Sequence, residues 1–397
     1  MTKTVAVLGG GIMGVMTALF LARRGMRVSI FDQQSVILNG ASRWNEGKIH
    51  LGYLYSGDGS GNSARSMLGA GIAFRPLIES QIERSMRSHI TKNPDHYIVH
   101  KKSVVSPDAV GTYFSYLNSL VERHDTSGYL GPVRPARELS KDELQKLCGE
   151  NGLAGFEVPE YSIDTQWLAD QLVETVLGNS KITLVLGKKV VGVKSRCGGF
   201  HGPWQVNLED QCSEGGFDLV VNALWQGRPS IDHGLGLPVA TDNLYRFRKS
   251  VFLTTKKTFD VPSRVFVVGP FGDLKNYDGS SFYMSWYPAG LISQGNGIYP
   301  PSSGSGRTDK AVFEETRTHI EKLAPDMAEI FNSAETVRIE GGWVFTRGTG
   351  RLDDANASIH RRDRYGTFRK ENYFSVDTGK YSTAPYMAQE IARSIAS

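Results

Sequence analysis

Cysteine is scarce in this sequence, and long apolar runs are missing. Cys148, Cys197 and Cys212 are the three thiols among 397 residues. So odd and scattered a set makes no disulfide framework and shows no metal-ligand spacing, so no metal is expected. The thiols suit a reducing compartment, and the first strand-like run begins near Thr4, leaving no room for a signal peptide. A cytoplasmic location is therefore expected. No apolar stretch reaches the roughly 20 residues that cross a bilayer. A strong excess of one charge is also lacking. The net charge is +4 with Lys and Arg dispersed, which gives no indication of nucleic-acid binding. The densest basic stretch, "RRDRYGTFRK" at 361–370, reads either as a solvated loop or as a binder of an acidic group. No internal repeat or low-complexity tract is present, and the length allows two domains.

Glycine is plentiful, and its placement is informative. "VAVLGGGIMG" at 5–14 joins a short, partly β-branched apolar run to a helix-like pattern carried by Ile12, Val15, Met16, Leu19 and Ala22. A second short run, Val28 to Phe31, stops at Asp32. This is a strand–turn–helix–strand unit of the size of a βαβ motif. Gly9, Gly11 and Gly14 fit G-x-G-x-x-G, and Asp32 stands where an acid receives a ribose hydroxyl. Gly9 is expected to permit the tight turn, Gly11 to let a pyrophosphate approach the backbone, and Gly14 to let helix and strand pack closely. The helix N-terminus supplies N–H groups for the phosphates. The glycines are read as holding a dinucleotide, and the acid argues against a 2′-phosphate.

That motif does not separate NAD from FAD. The next segment, "NGASRWNEGKIHLGYLY" at 39–55, is a long polar excursion where a simple NAD domain would continue with another crossover. Together with the first motif, it resembles the D-amino-acid-oxidase-type FAD-dependent oxidoreductases, a superfamily that includes glycine and sarcosine oxidases, glycerol-3-phosphate dehydrogenases and L-2-hydroxyglutarate oxidases. Three later segments are similar to that family in its order: "YSIDTQWLADQLVETVL" at 161–177 with the run after it, "FDLVVNALWQGR" at 217–228, and "NYFSVDTGKYSTAPYMAQEIA" at 372–392. In the second of these Leu224, Trp225 and Gln226 replace the small residues of the family's usual "VVNAAG". In the third, Ser382 or Thr383 reads as a helix cap and Pro385 as a first-turn residue.

The resemblance implies an α/β fold, with a Rossmann-like FAD-binding domain and a second, mainly antiparallel-sheet substrate domain. The FAD domain is expected to be discontinuous, from 1–80, 155–240 and 336–397, with 81–154 and 241–335 forming the substrate domain. It implies cofactor contacts at Gly9, Gly11, Ile12, Met13, Gly14, Asp32 and Gln33. Further contacts are implied at Ser42, Arg43, Val190, Ala223, Gly379, Ser382 and Thr383. A C-terminal cysteinyl–flavin link of the monomeric sarcosine oxidase kind is excluded, because all three cysteines precede residue 213.

The implied activity is oxidation of a C–N or C–OH bond of a small amino or hydroxy acid, by hydride transfer to flavin N5. Such chemistry on a hydroxyl benefits from a base, and His50, which the resemblance places beside the flavin, is the candidate; a structural histidine is its alternative. Arg347 and Arg351 in "WVFTRGTGR" stand where some relatives bind a carboxylate, and each reads equally as a surface ion pair. Tyr53, Tyr55, Tyr283 and Trp286 are candidates for the pocket lining or for the core. The electron acceptor (oxygen, quinone or carrier) is left open. An NAD-dependent dehydrogenase and a non-catalytic flavin-binding subunit are the competing readings.

Overall fold

The first thirty residues form the unit their pattern calls for. The computed structural model describes residues 2–304 and 306–396. β1 (Thr4–Leu8) runs parallel to β2 (Arg27–Phe31), with Val5 beside Val28 and Val7 beside Ile30. α1 (Ile12–Arg23) joins them and is buried on nearly every side, because the C-terminal helix Ala384–Ala396 packs on it as well as the sheet. A helix so enclosed has no polar face to display. Gly14 is fixed by contact: a methyl there would lie 1.9 Å from the Gly9 carbonyl oxygen and 3.2 Å from Val7. Gly14→Ala is expected to cost about 3 kcal/mol, the upper part of the usual range for overpacking. Denaturant midpoints check this, and a shift within about 0.5 kcal/mol, typical of a harmless substitution, would refute the close-packing role.

β1 and β2 lie in a six-stranded sheet of order Gly366–Lys370, Tyr373–Asp377, Leu219–Asn222, β1, β2 and Ile182–Val185. The pairs are parallel except at the edge hairpin of Gly366–Lys370 with Tyr373–Asp377. The strands thus come from three distant parts of the chain. Ligands of such sheets bind outside the C-terminal strand ends, here at Leu8, Phe31 and Asn222. Val190–Ser195, Trp204–Leu208 and Ser213–Phe217 form a small side sheet, whose Trp204 and Phe217 share a core with Phe31.

The second large sheet is built on Asn243–Thr255, which pairs antiparallel with Ala334–Arg347 along its length, from Asn243 beside Arg347 to Thr254 beside Thr336. Its other edge carries Leu291–Asn296 and Ser281–Met284. The sheet continues through Asp273–Asn276, Arg264–Val267, Asp95–His100, Gly152–Val158 and Arg137–Glu138. One pair, Arg264–Val267 with Asp95–His100, is parallel. The fold is therefore an α/β chain with a Rossmann-like parallel sheet and a mainly antiparallel second sheet. Residues 336–347, assigned to the third cofactor segment, lie instead in the strand Ala334–Arg347 of this second sheet. Its long pairing with Asn243–Thr255 decides its place.

Candidate active site

A cavity of about 1150 Å³ opens at the C-terminal ends of β1 and β2 and extends to the second sheet. Small-molecule pockets are usually about 300–1,000 Å³, so this one has room for an extended cofactor and a substrate together. At one end Gly9, Gly11, Ile12, Met13, Asp32, Gln33 and Ser42 form the wall. Gly9 has φ 103°, where the chain turns tightly and a Cβ would lie 2.6 Å from the Ala223 carbonyl oxygen. Gly11 has an ordinary φ of −75°, and a Cβ there would meet only the Ser42 hydroxyl, at 3.2 Å. The fold itself makes little demand for glycine at 11, and its bare backbone leaves room for a phosphate to approach. The Ser42 hydroxyl accepts from the Ile12 N–H at 2.9 Å, which puts a small polar group at the N-terminus of α1. The Asp32 carboxylate accepts from Gly10 N–H at 2.6 Å and Gln34 N–H at 2.8 Å. Burial raises its pKa, and those two N–H groups oppose the rise. These residues fit a dinucleotide.

Val190, Ala223 and Gly379 also line the cavity, as do Leu224, Trp225 and Gln226. Four of the implied cofactor residues do not. Gly14 lies beneath the turn. Arg43 reaches away to Asp170 at 2.6 Å. Thr383 donates to the carbonyl of Lys380 at 2.6 Å and to that of Thr378, fastening the turn that presents Thr378, Gly379, Lys380 and Tyr381 to the cavity. Ser382 is fully buried with its hydroxyl unpartnered.

His50 lines the cavity and is 2% exposed. Its Nδ1 has no hydrogen-bond partner, and Glu160 Oε2 lies 4.0 Å away. Burial, then the positive fields of Lys380 and Lys48, hold its pKa well below the ordinary value, so the imidazole is neutral near pH 7. Behind it, Glu160 Oε1 accepts from the N–H groups of Leu51, Gly52 and Tyr53 at 2.7, 2.9 and 3.1 Å. Glu160 Oε2 accepts from the Tyr97 hydroxyl at 2.5 Å. Tyr97 in turn accepts from Lys48, which pairs with Asp95 at 2.9 Å; Lys275 pairs with the same Asp95 oxygen at 2.6 Å. A buried chain of charge thus anchors the His50 loop to the second sheet.

Tyr53 is not in the cavity wall. Its hydroxyl donates to Asn118 at 2.7 Å and its ring packs edge-on against Phe114, so it belongs to the core. Arg347 and Arg351 are held outside by nearby aspartates, Arg347 by Asp242 at 3.5 Å and Arg351, largely exposed, by Asp353 at 2.9 Å. Trp286 stacks on His319, also away from the cavity. Tyr55 and Tyr283 do line it.

Of the lysines and arginines that line the cavity, Lys48 pairs with Asp95 and Lys189 with Glu209, which leaves Arg246, Arg248, Arg362 and Lys380. Arg246 is 3% exposed and donates to the Tyr287 hydroxyl at 2.6 Å, and Arg248 lies over the same ring at 4.1 Å. Arg362 donates to the Thr346 hydroxyl at 2.5 Å and the Ile359 carbonyl at 2.8 Å. Burial, then the charge of Arg246, push its pKa down to about 10. Burial, then Arg362, push that of Lys380 to about 8. The signal for Arg246 and Arg248 was two arginines at alternate positions within the apolar strand "LYRFRKSVFL", where side chains two apart share a face. Arg362 lay inside the basic stretch whose two readings were open. Its neighbours Arg361 and Arg364 pair with Asp363 and Asp242, while Arg362 turns inward.

Among the described residues no helix is long and apolar enough to cross a membrane, and no cluster suits a metal ion. A search of curated proteins finds no match. Solved structures share the fold. Glycine oxidase from Geobacillus kaustophilus is 13% identical with a TM-score of 0.69, over 98% of this chain and 94% of that one. Iminodiacetate oxidase from Chelativorans sp. BNC1 is 14% identical with a TM-score of 0.69, over 98% and 95%. The FAD-bound L-α-glycerophosphate oxidase from Mycoplasma pneumoniae is 13% identical with a TM-score of 0.63, over 99% and 94%. The family model DAO, FAD dependent oxidoreductase, matches residues 4–394, nearly the whole sequence, in agreement with the glycine turn, the acid at the end of β2 and the two-sheet fold. The chain therefore belongs to the DAO family of FAD-dependent oxidoreductases.

Proposed function

We propose that this enzyme oxidises the C–N or C–OH bond of a small amino or hydroxy acid. Family membership makes FAD the cofactor and sets aside the NAD-dependent and non-catalytic readings. The observation that carries the substrate reading is that one cavity joins the dinucleotide cradle to a chamber holding a neutral buried histidine and unpaired guanidiniums. The similar structures are named as oxidases of glycine, iminodiacetate and L-α-glycerophosphate, all small acids.

FAD, when bound, supplies the two-electron acceptor. Gly9 to Met13, Ser42 and Asp32 would hold its diphosphate and ribose, and the turn at Gly379 would face its ring. Arg246 and Arg362, each with a planar fork of donors, hold the substrate carboxylate. His50 takes the proton of the substrate hydroxyl or ammonium; the negative field of Glu160 favours the ring proton on Nδ1 and leaves the Nε2 lone pair as acceptor. Lys380, Lys48 and the enclosed walls keep the chamber positive. The electrons pass finally to oxygen, a quinone or a protein carrier.

The test is an anaerobic screen of the FAD-loaded protein with amines, amino acids and 2-hydroxy acids. Bleaching of the flavin by at least one acid is expected. If neutral amines or alcohols bleach it and no acid does, the reading fails.

A further inference from the structure

Arg246, Arg248 and Arg362 have a feature that the binding of one carboxylate does not use up. Nearby arginines have carboxylate partners: Arg361 pairs with Asp363, and Arg347 and Arg364 share Asp242. No carboxylate lies within ion-pair distance of Arg246, Arg248, Arg362 or Lys380 among the described residues. Arg246, at 3% exposure, keeps a buried Nε without a partner, and so does Arg248. Hydroxyls, carbonyls and the Tyr287 ring are what these guanidiniums touch. Those groups orient the cations and leave their charge.

Counting opposite charge narrows what belongs there. Among the acids that line the cavity, Glu46 is the one whose field reaches Lys380 and Arg248. Burial resists its ionisation, but Lys380, Lys48 and Arg248 outweigh that and hold its carboxyl below the usual range. Asp273 is engaged with Lys275 and Lys48 instead, and its carboxyl is raised by burial and by Glu46. Asp377, outside the cavity wall, pairs with Arg228 at 3.3 Å, and its field is shared between Arg228, Arg347 and Arg362. Glu46 therefore offsets one of the four cations and a single substrate carboxylate a second. A singly charged acid would leave two partly buried like charges in one chamber, an arrangement that costs more than a paired one. The phosphates of FAD are served elsewhere, by the N–H groups of α1 and by Ser42.

We propose that this cavity selects doubly anionic substrates, small amino or hydroxy acids with a second carboxylate or a phosphate, through Arg246, Arg248 and Arg362. This rests on the reading that the cavity oxidises small acids, and it adds the second charge. One carboxylate and the second anionic group divide the three forks between them, and Glu46 limits the preference to two charges.

The probes are non-oxidisable acids added to the FAD-loaded protein at fixed ionic strength, with flavin absorbance reporting binding. Malonate, succinate, glutarate and phosphoglycolate are compared with acetate, propionate, butyrate and methoxyacetate. At least one doubly charged probe is expected to bind about tenfold or more tightly than its singly charged counterpart, the contribution of one further charge-assisted contact. Arg246→Met and Arg362→Met should bring that ratio close to one. If either fails to fold, Arg246→Lys and Arg362→Lys, which keep the charge and lose the fork, should give intermediate ratios. Equal binding of singly and doubly charged probes by the unaltered protein overturns the proposal, as does a ratio unchanged in the variants. If monocarboxylates bleach the flavin as readily as dicarboxylates, the oxidation of small acids stands and the dianion preference falls. If no acid of either kind perturbs or bleaches the flavin, both fall.

Discussion

Glu160→Ala is expected to lower stability by about 3–5 kcal/mol, the usual cost of breaking a buried charged network by removing one partner. Glu160 is fully buried, and one of its oxygens accepts from three consecutive backbone N–H groups, Leu51, Gly52 and Tyr53. Alanine would leave those donors dry and unpaired, and each such group costs about 1–3 kcal/mol. Tyr97 would lose its acceptor at the same time, and Lys48 a neighbouring negative charge. Glu160→Gln keeps an acceptor of the same shape and should recover much of the loss. Denaturant unfolding of both variants measures it. A Glu160→Ala protein within about 1 kcal/mol of the parent, no more than an ordinary substitution costs, would show that the loop holds itself.

His50→Ala should slow anaerobic flavin reduction by about 10²–10⁴-fold, the usual contribution of a positioned general base, with FAD content little changed. Because burial and then Lys380 and Lys48 hold the imidazole pKa down, the acid limb of kcat/KM is expected below the ordinary histidine value near 6.5. The same shift acts on stability. Below about pH 6.5 the unfolded chain takes up a proton that the folded chain refuses until its own lower pKa, so stability is lost as pH falls through that window. His96 and His100 are shifted in the same direction, so His50→Ala should flatten this slope in part. Stopped-flow reduction at several pH values, normalised to bound FAD, decides the catalytic role. Near-normal reduction throughout removes His50 from it.

The dinucleotide end of the site was legible in the sequence because its requirements are local. A tight turn, a close helix–strand contact and an acid at the end of the second strand must all fall within thirty residues, so spacing alone reveals them. The helix Thr165–Leu177, with Leu168, Leu172 and Val176 buried, and the C-terminal helix, with Pro385 in its first turn, follow the same logic. The substrate end was not legible, because it is made by long-range pairing. Arg246 and Arg362 meet only after Asn243–Thr255 pairs with Ala334–Arg347 and the chain returns through 358–362. Arg347 and Arg351 were the natural choices from a basic motif. What removed them was Asp242 and Asp353, whose positions in space the motif does not contain.

The order of the six-stranded sheet has a consequence for biosynthesis. Tyr373–Asp377 lies directly beside Leu219–Asn222, which lies beside Thr4–Leu8, so the cofactor's platform joins the first strand made to the last. Contacts of such sequence separation form slowly and cannot form until Tyr373–Asp377 has left the ribosome. The turn at Gly379 and the helix that packs on α1 emerge later still. The cofactor's platform is therefore whole only once strands and helices from both ends of the described residues have met, and until then the apolar face of α1 that Ala384–Ala396 covers is bare.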